Sequence, residues 1–275
     1  MIFEFLKSLI LGIVEGITEW LPVSSTGHMI LVNEFIENKG FTSSDLYIYV
    51  IQLGAILAVV TLYFGKLNTF APSKTKEQKR DTWSLWLKVV AACIPAAIIG
   101  LLLDEYMEKL ENWYVVSATL IIYGIAFLFI EKKSKTVRAE TVHDLTFKDA
   151  LMVGAFQVLS IIPGTSRSGS TILGGMLIGS SRAAAAEFSF FLAIPVMVGV
   201  SFLKILKYVL DFGVPGVTDI ITLLIGMAVA YIVSLLCIKK LVDYVKKHNF
   251  RLFGKYRIVL GLVVIVYFTL KMLVF

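Results

Sequence analysis

The sequence predicts an all-α polytopic membrane protein. Six full transmembrane helices and two opposed re-entrant helical hairpins are expected, arranged as an inverted-topology repeat. Three observations predict this. Of the 275 residues, 57% are hydrophobic and only 17% charged, against about 45–50% and about 25% in an ordinary soluble domain; the mean hydropathy is +0.82. The apolar residues gather in runs near the length of a membrane span, too long and too uniform for barrel strands. Two further apolar stretches, 12–28 and 154–175, are broken by polar Pro/Gly/Ser turns.

Taken in order, residues 1–13 are apolar but short. Glu15 and Glu19 follow, then Leu21-Pro22 and the turn-like Val23 to Gly27, and His28 to Phe35 is apolar and short again. Two half-length pieces around a polar turn read as a re-entrant hairpin. Such backbone is tolerated at membrane depth only inside protein or beside a watery cavity. Glu15 and Glu19 stand where a signal peptide would carry its small-residue cleavage site, so no cleavable leader is expected.

Asp45 to Phe64 is a full span with Gln52 in its middle. Residues 65–82 form a basic loop. Trp83 to Leu103 spans, with Trp83 and Trp86 as interfacial anchors and Pro95 as a kink. Asp104 to Asn112 is an acidic connection, carrying Asp104, Glu105, Glu108 and Glu111. Trp113 to Ile130 spans, and 131–149 is a second basic loop with Lys132, Lys133, Lys135, Arg138 and Lys148. Residues 150–162 and 168–180 form the second broken pair. Ala183 to Leu203 and Thr218 to Ile238 span. Residues 239–257 read as the most basic loop, with seven Lys/Arg and one Asp, and Ile258 to Phe275 is the last span.

The positive-inside rule places the three basic loops in the cytoplasm and the acidic connection outside. The first hairpin then enters from outside and the second from inside. Lys204 and Lys207, near an outer end, run against the rule. Arg182 reads as a flanking residue that snorkels. Basic residues spread over short loops set membrane orientation, so the net charge of +6 does not imply a nucleic-acid partner. Cys93 and Cys237 lie within apolar spans and read as small buried hydrophobes without a disulfide.

The chain reads as a single integral membrane domain over 1–275, with approximate repeats 1–112 and 148–275. Gly12-xx-Glu15 matches Gly154-xx-Gln157, and Pro22-xx-Ser25 matches Pro163-xx-Ser166. An acidic residue, Asp45 or Glu187, opens the span after each hairpin. Opposed broken helices that meet near the midplane place a site between the repeats.

The two turns carry the chemistry. Glu15 and Glu19, at i and i+4, share one helix face, and their flanks Ile13, Val14, Ile17, Trp20 and Leu21 argue against a solvated edge. Paired carboxylates there can hold a hard divalent cation or act as general base. His28 suits proton transfer at neutral pH, whereas His143 and His248, in charged loops, read as surface residues. Ser24, Ser25 and Thr26 can cap a half-helix. An uncapped half-helix N-terminus binds anions, and the same holds for Thr165, Ser166, Ser168 and Thr171. Arg167, an arginine in the turn of an apolar hairpin, suits two-point pairing with phosphate oxygens. Gln52, Gln157 and Glu187 are supporting candidates.

EGITEWLPVSSTGH and PGTSRSGST resemble the two signature regions of the bacterial undecaprenyl-pyrophosphate phosphatase family, also called the bacitracin-resistance family. The resemblance extends to YVIQLGAILAVV at 49–60 and AAEFSFFLAIPVM at 185–197. It implies removal of the terminal phosphate from a C55 polyprenyl pyrophosphate, which recycles the lipid carrier of peptidoglycan synthesis and confers bacitracin resistance. It also implies a divalent cation, Mg²⁺ or Ca²⁺, and a bacterial plasma-membrane location with the site open to the outer face. The family's acidic pair falls on Glu15 and Glu19, its histidine on His28, its serine turn on Ser24 and Ser25. Its phosphate motif falls on Pro163 to Thr171, with Ser166 and Arg167 central. The expected mechanism has Ser25 or a water attack the terminal phosphorus with help from His28. The rival reading is a flippase for the product lipid, which the repeat favours. A homodimer is compatible with the sequence.

Overall fold

The computed structural model describes residues 2–36, 40–110, 112–132 and 136–274, without the side chains of 104, 105, 107, 108 and 274. Glu111, Lys133 and Lys135, and the side chains of Asp104, Glu105 and Glu108, lie outside that description. Among the described residues the chain is helical, with one isolated bridge between Ala139 and Ser180 in place of any sheet. The helices are α1 (Ile2–Thr18), α2 (Ser25–Phe35), α3 (Asp45–Leu62), the single turn α4 (Phe64–Leu67), α5 (Lys76–Glu108) and α6 (Trp113–Lys132). They continue as α7 (Phe147–Val158), α8 (Arg167–Leu177), α9 (Arg182–Phe212), α10 (Val217–Lys247) and α11 (Arg251–Val274).

Six of these, α3, α5, α6, α9, α10 and α11, are long and apolar enough to cross a membrane. They are the six expected spans, and most run further than the apolar text does. The expected basic loop at 239–257 is the clearest departure. α10 continues to Lys247 and α11 begins at Arg251, so only three residues break the helix. Lys and Arg are good helix formers, and nothing before Asn249 stops the chain. The loop at 65–82 is likewise shortened, by α4 and by an α5 that starts at Lys76.

Of the remaining helices, α1 has 17 residues, one fewer than α3, and the others are short. α2, α7 and α8 have 11, 12 and 11 residues, about 16–18 Å at 1.5 Å per residue, little more than half a hydrocarbon core of about 30 Å. α1 turns into α2, and α7 into α8 through a 3₁₀ turn at Leu159–Ile161. α7 opens with a capping box, Thr146 and Asp149 each satisfying the other's backbone N–H.

Close packing fixes where these short helices sit. α1 lies against α10, where a methyl on Gly12 would come within 2.7 Å of the Gly226 carbonyl oxygen. α7 lies against α5, where a methyl on Gly154 would come within 2.3 Å of the Ala92 carbonyl oxygen. Small residues allow such approach between membrane helices. Polar side chains also tie α1 to α10: Ser8 donates to the Thr222 carbonyl at 2.7 Å and Ser234 to the Gly16 carbonyl at 3.4 Å. The helix before each polar turn thus leans on a long helix from the other half of the chain.

Arg182 does more than snorkel. Its guanidinium grips Glu131 with two hydrogen bonds, 2.8 and 2.5 Å. Lys204, discordant with the charge rule, pairs with Asp45 at 3.1 Å and lies over the Tyr49 ring. His143 and His248 are exposed. Cys93 and Cys237 are free and half-buried. In the loop before α7, hydrogen bonds from the Thr141 backbone and hydroxyl hold the Asp144 carboxyl below the usual range.

Candidate active site

The two polar turns meet. Ser24 and Ser166 are the N-caps of α2 and α8, and each accepts a hydrogen bond from a glycine N–H three residues on, Gly27 at 3.3 Å and Gly169 at 3.1 Å. Among the described residues they are also the only non-glycine positions with positive φ, 73° and 72°. A side chain there is strained, so the same cap recurs at the same cost in both turns. The caps therefore align the two turns with one another. Sequence matching pairs Ser25 with Ser166; the caps pair Ser24 with Ser166, and so Ser25 with Arg167.

Arg167 joins the turns. It donates to Glu19 Oε1 at 2.9 Å, to the Ser189 carbonyl at 2.7 Å and to the Ser189 hydroxyl at 3.2 Å. Both members of the ion pair are largely buried, their side chains 10% and 6% exposed. The guanidinium also lies 5.8 Å from the ring of Trp20, itself fully buried. The other oxygen of Glu19 accepts from the Ser25 hydroxyl at 2.7 Å. One carboxylate therefore bridges a serine on the first turn and an arginine on the second.

Ser168 and Thr171 sit behind this chain. The Ser168 hydroxyl lies within reach of the Glu19 and Leu21 carbonyls, at 3.0 and 3.2 Å, and of Ser166 at 3.1 Å. Thr171 shares a 2.7 Å contact with the Ser189 hydroxyl. Both are buried, so they support the turns where the sequence reading expected phosphate contacts. The Thr165 hydroxyl is likewise spent on the carbonyls of Leu159 and Ile162.

The expected Ser25–His28 pair does not form. His28 Nδ1 donates to the Ser24 carbonyl at 2.7 Å, which leaves Nε2 to accept from Tyr256 Oη, also at 2.7 Å. Both ring nitrogens are engaged, and the ring stacks on Tyr256. Glu187 is not at the site either. It pairs with Lys66 at 2.7 Å, α4 having brought that lysine to α9.

A cavity of about 490 Å³ opens beside the turns. Glu19, Ser25, Thr26, Ser166 and Arg167 line it, together with Gln52 and Gln157; the rest of its lining is largely apolar residues of α5 and α9, from Cys93 to Leu101 and from Pro195 to Leu203, with Tyr49, Lys204 and Lys207 beside them. Glu15 and Gln157, the matched residues of the repeat, are both 1% exposed, and neither end of either side chain finds a hydrogen-bond partner. Glu15 lies within electrostatic reach of Glu19 and Arg167. An orphaned carboxylate beside a second one is a fitting donor pair for a hard cation. Among the described residues no third His, Cys, Asp or Glu joins them, so such a cation would take its remaining oxygens from elsewhere.

The residue that the sequence reading missed is Arg257. Read as part of a loop, it is fully buried on α11. It donates to the Pro22 carbonyl at 3.1 Å and to the Gly164 and Thr165 carbonyls at 2.9 and 3.0 Å, and its guanidinium stands 5.4 Å from the Tyr123 ring. Its only sequence signal is the arginine standing beside an unbroken apolar run.

Fold and site together define a multi-pass helical membrane protein with a buried, charged turn-to-turn contact. The chain belongs to the family described as bacitracin resistance protein BacA, whose model matches residues 8–263. It is similar to an undecaprenyl-diphosphatase of Enterococcus faecalis, 56% identical over 95% of this chain and 96% of that protein. Similar proteins of the same name occur in Streptococcus thermophilus, at 53% over 99% and 96%, and in Lactiplantibacillus plantarum, at 54% over 97% and 98%.

Proposed function

We propose that this protein hydrolyses undecaprenyl pyrophosphate to undecaprenyl phosphate and inorganic phosphate, recycling the lipid carrier of wall synthesis, with bacitracin resistance as the consequence its family's description names. The observation that carries the reading is the Ser25–Glu19–Arg167 chain in a cavity whose lining is otherwise largely apolar. Relatives of more than half identity named for this activity support it.

In this reading the pyrophosphate lies against that chain and the first prenyl units lie along α5 and α9, where each buried CH₂ contributes about 0.8 kcal/mol. Ser25 gives its proton to Glu19 as its oxygen bonds to the terminal phosphorus. The bond from that phosphorus to the bridging oxygen breaks, and undecaprenyl phosphate leaves. Glu19 passes that proton to the departing undecaprenyl phosphate. Water then attacks the phosphoserine, losing its proton to Glu19, which returns it to the leaving Ser25 oxygen, so that inorganic phosphate departs and Ser25 is restored. Arg167 balances the charge that develops on the phosphoryl oxygens. Glu15 and Glu19 would hold Mg²⁺ or Ca²⁺, with phosphate oxygens completing the shell. Such an ion neutralises phosphate charge.

The short helix pairs are re-entrant hairpins in this reading, entering from opposite faces, with the cavity open to the outer face of the plasma membrane. The reciprocal packing of α1 on α10 and α7 on α5 supports the inverted repeat. That packing also favours a second activity, movement of the product lipid across the bilayer, which a lipid-scrambling assay tests.

The deciding experiment is phosphate release from a polyprenyl pyrophosphate by purified protein, with and without EDTA. Release that requires a divalent cation is expected. A well-folded protein that releases no phosphate with Mg²⁺, Mn²⁺ or Ca²⁺ present would overturn the assignment.

A further inference from the structure

We infer that Arg257 is a positioning residue of this site, a rigid spacer that sets the distance between the two phosphate-binding turns. The inference rests on the turns being the phosphate site.

The geometry divides the guanidinium between the turns. One terminal nitrogen, Nη1, serves the first turn through the Pro22 carbonyl. The other, Nη2, serves the second through the Gly164 and Thr165 carbonyls. Pro22 and Gly164 each stand two residues before a strained cap, Ser24 and Ser166. The spacer therefore grips both turns at equivalent points, directly ahead of the residues that carry Ser25 and Arg167. A planar guanidinium holds its donors at fixed angles, which a lysine ammonium cannot do.

Burial argues the same way. A buried charge is normally paired with an opposite one. Arg257 is fully buried, and carbonyls and the face of the Tyr123 ring are the partners it makes. Aliphatic packing would fill this volume without that desolvation cost, so the residue is retained for what its fork does. Its neighbour Tyr256 extends the same helix to His28 on the first turn. Arg257 does not line the cavity, so it acts through the turns.

The test compares wild type with Arg257→Lys and Arg257→Ala by steady-state phosphate release, thermal unfolding and amide hydrogen exchange. A shift of about 1 Å between catalytic groups costs about a hundredfold in rate. Arg257→Ala is therefore expected to lose about that much in kcat, with KM within about threefold, and Arg257→Lys to fall between the two. Guanidinium at millimolar concentration should restore at least tenfold to Arg257→Ala, and sodium chloride at equal ionic strength should not. Amide exchange should accelerate at the two turns and leave α3, which Arg257 does not touch, unchanged. Turnover of Arg257→Ala within threefold of wild type would overturn the inference. So would faster exchange across all helices with no guanidinium response, the mark of a purely structural residue. Absence of turnover in wild type would sink the phosphatase reading instead, and the exchange pattern alone would then decide whether Arg257 couples the turns.

Discussion

Glu19 and Arg167 lie 148 positions apart in the chain and 2.9 Å apart in space. Their ion pair is the one salt bridge that joins the two signature turns among the described residues. Removing one member of a buried pair leaves an uncompensated charge, a loss of about 3–5 kcal/mol. Arg167→Ala is expected to cut turnover at least a hundredfold and to lower the unfolding temperature. Glu19→Gln combined with Arg167→Met should recover part of the stability and none of the turnover. A double-mutant cycle on thermal unfolding and phosphate release checks both parts.

Ser25 is the test of the nucleophile. With its hydroxyl on Glu19, Ser25→Ala should reduce phosphate release by several orders of magnitude. Brief incubation of wild type with substrate, followed by acid quench and mass spectrometry, should show a phosphate on Ser25. Activity retained in Ser25→Ala would transfer the attack to water.

The two caps make a stability prediction independent of turnover. Ser24→Ala and Ser166→Ala lose the hydrogen bond to Gly27 or Gly169 and keep the positive φ, so each should cost about 1 kcal/mol. The glycine variants lose the bond and shed the strain, and should stay within a few tenths of wild type. Thermal unfolding in detergent checks the order.

Cation removal is a further test. EDTA should abolish phosphate release and Mg²⁺ should restore it. Glu15→Gln should raise the Mg²⁺ concentration needed for half-maximal rate by at least tenfold. A magnesium titration identical to wild type would remove Glu15 from the cation site.

Gln157 gives a prediction of opposite sign. Both ends of its buried amide lack a partner, and an unsatisfied buried polar group costs about 1–3 kcal/mol. Gln157→Leu is therefore expected to match or exceed wild type in unfolding temperature while raising KM, since Gln157 lines the cavity.

The six spans and the breaks at the two polar turns were legible because burial in lipid demands long apolar runs, and polar turns interrupt them visibly; α1, expected to be apolar only over 1–13, runs to Thr18. Glu19, Ser25 and Arg167 could be picked out because charge in apolar text is expensive. The alignment of the two turns was not legible: it follows from the backbone dihedrals at Ser24 and Ser166, which composition does not reveal. The partner of Ser25 was misjudged because histidine is the usual base, and only the fold shows Tyr256 and the Ser24 carbonyl capturing both nitrogens of His28. Arg257 was hidden by its neighbours. Six other Lys/Arg in 239–257 made it look like one more cytoplasmic charge, and only helix geometry turns it inward. Glu187 was singled out by analogy with Asp45, and the lysine that claims it lies on α4, a turn too short to predict.

The interleaving of the two halves has a consequence for biogenesis. Glu19 is synthesised 148 residues ahead of Arg167, and Pro22 235 residues ahead of Arg257. At about 5–20 residues per second, the first hairpin waits roughly 7–30 seconds for its ion-pair partner and longer for α10 and α11. During that interval α1 lacks α10, the long helix it packs against, and Glu19 lacks Arg167. The site, with Arg167 on Glu19 and Arg257 on the Pro22 carbonyl, is complete only once α11 has been synthesised.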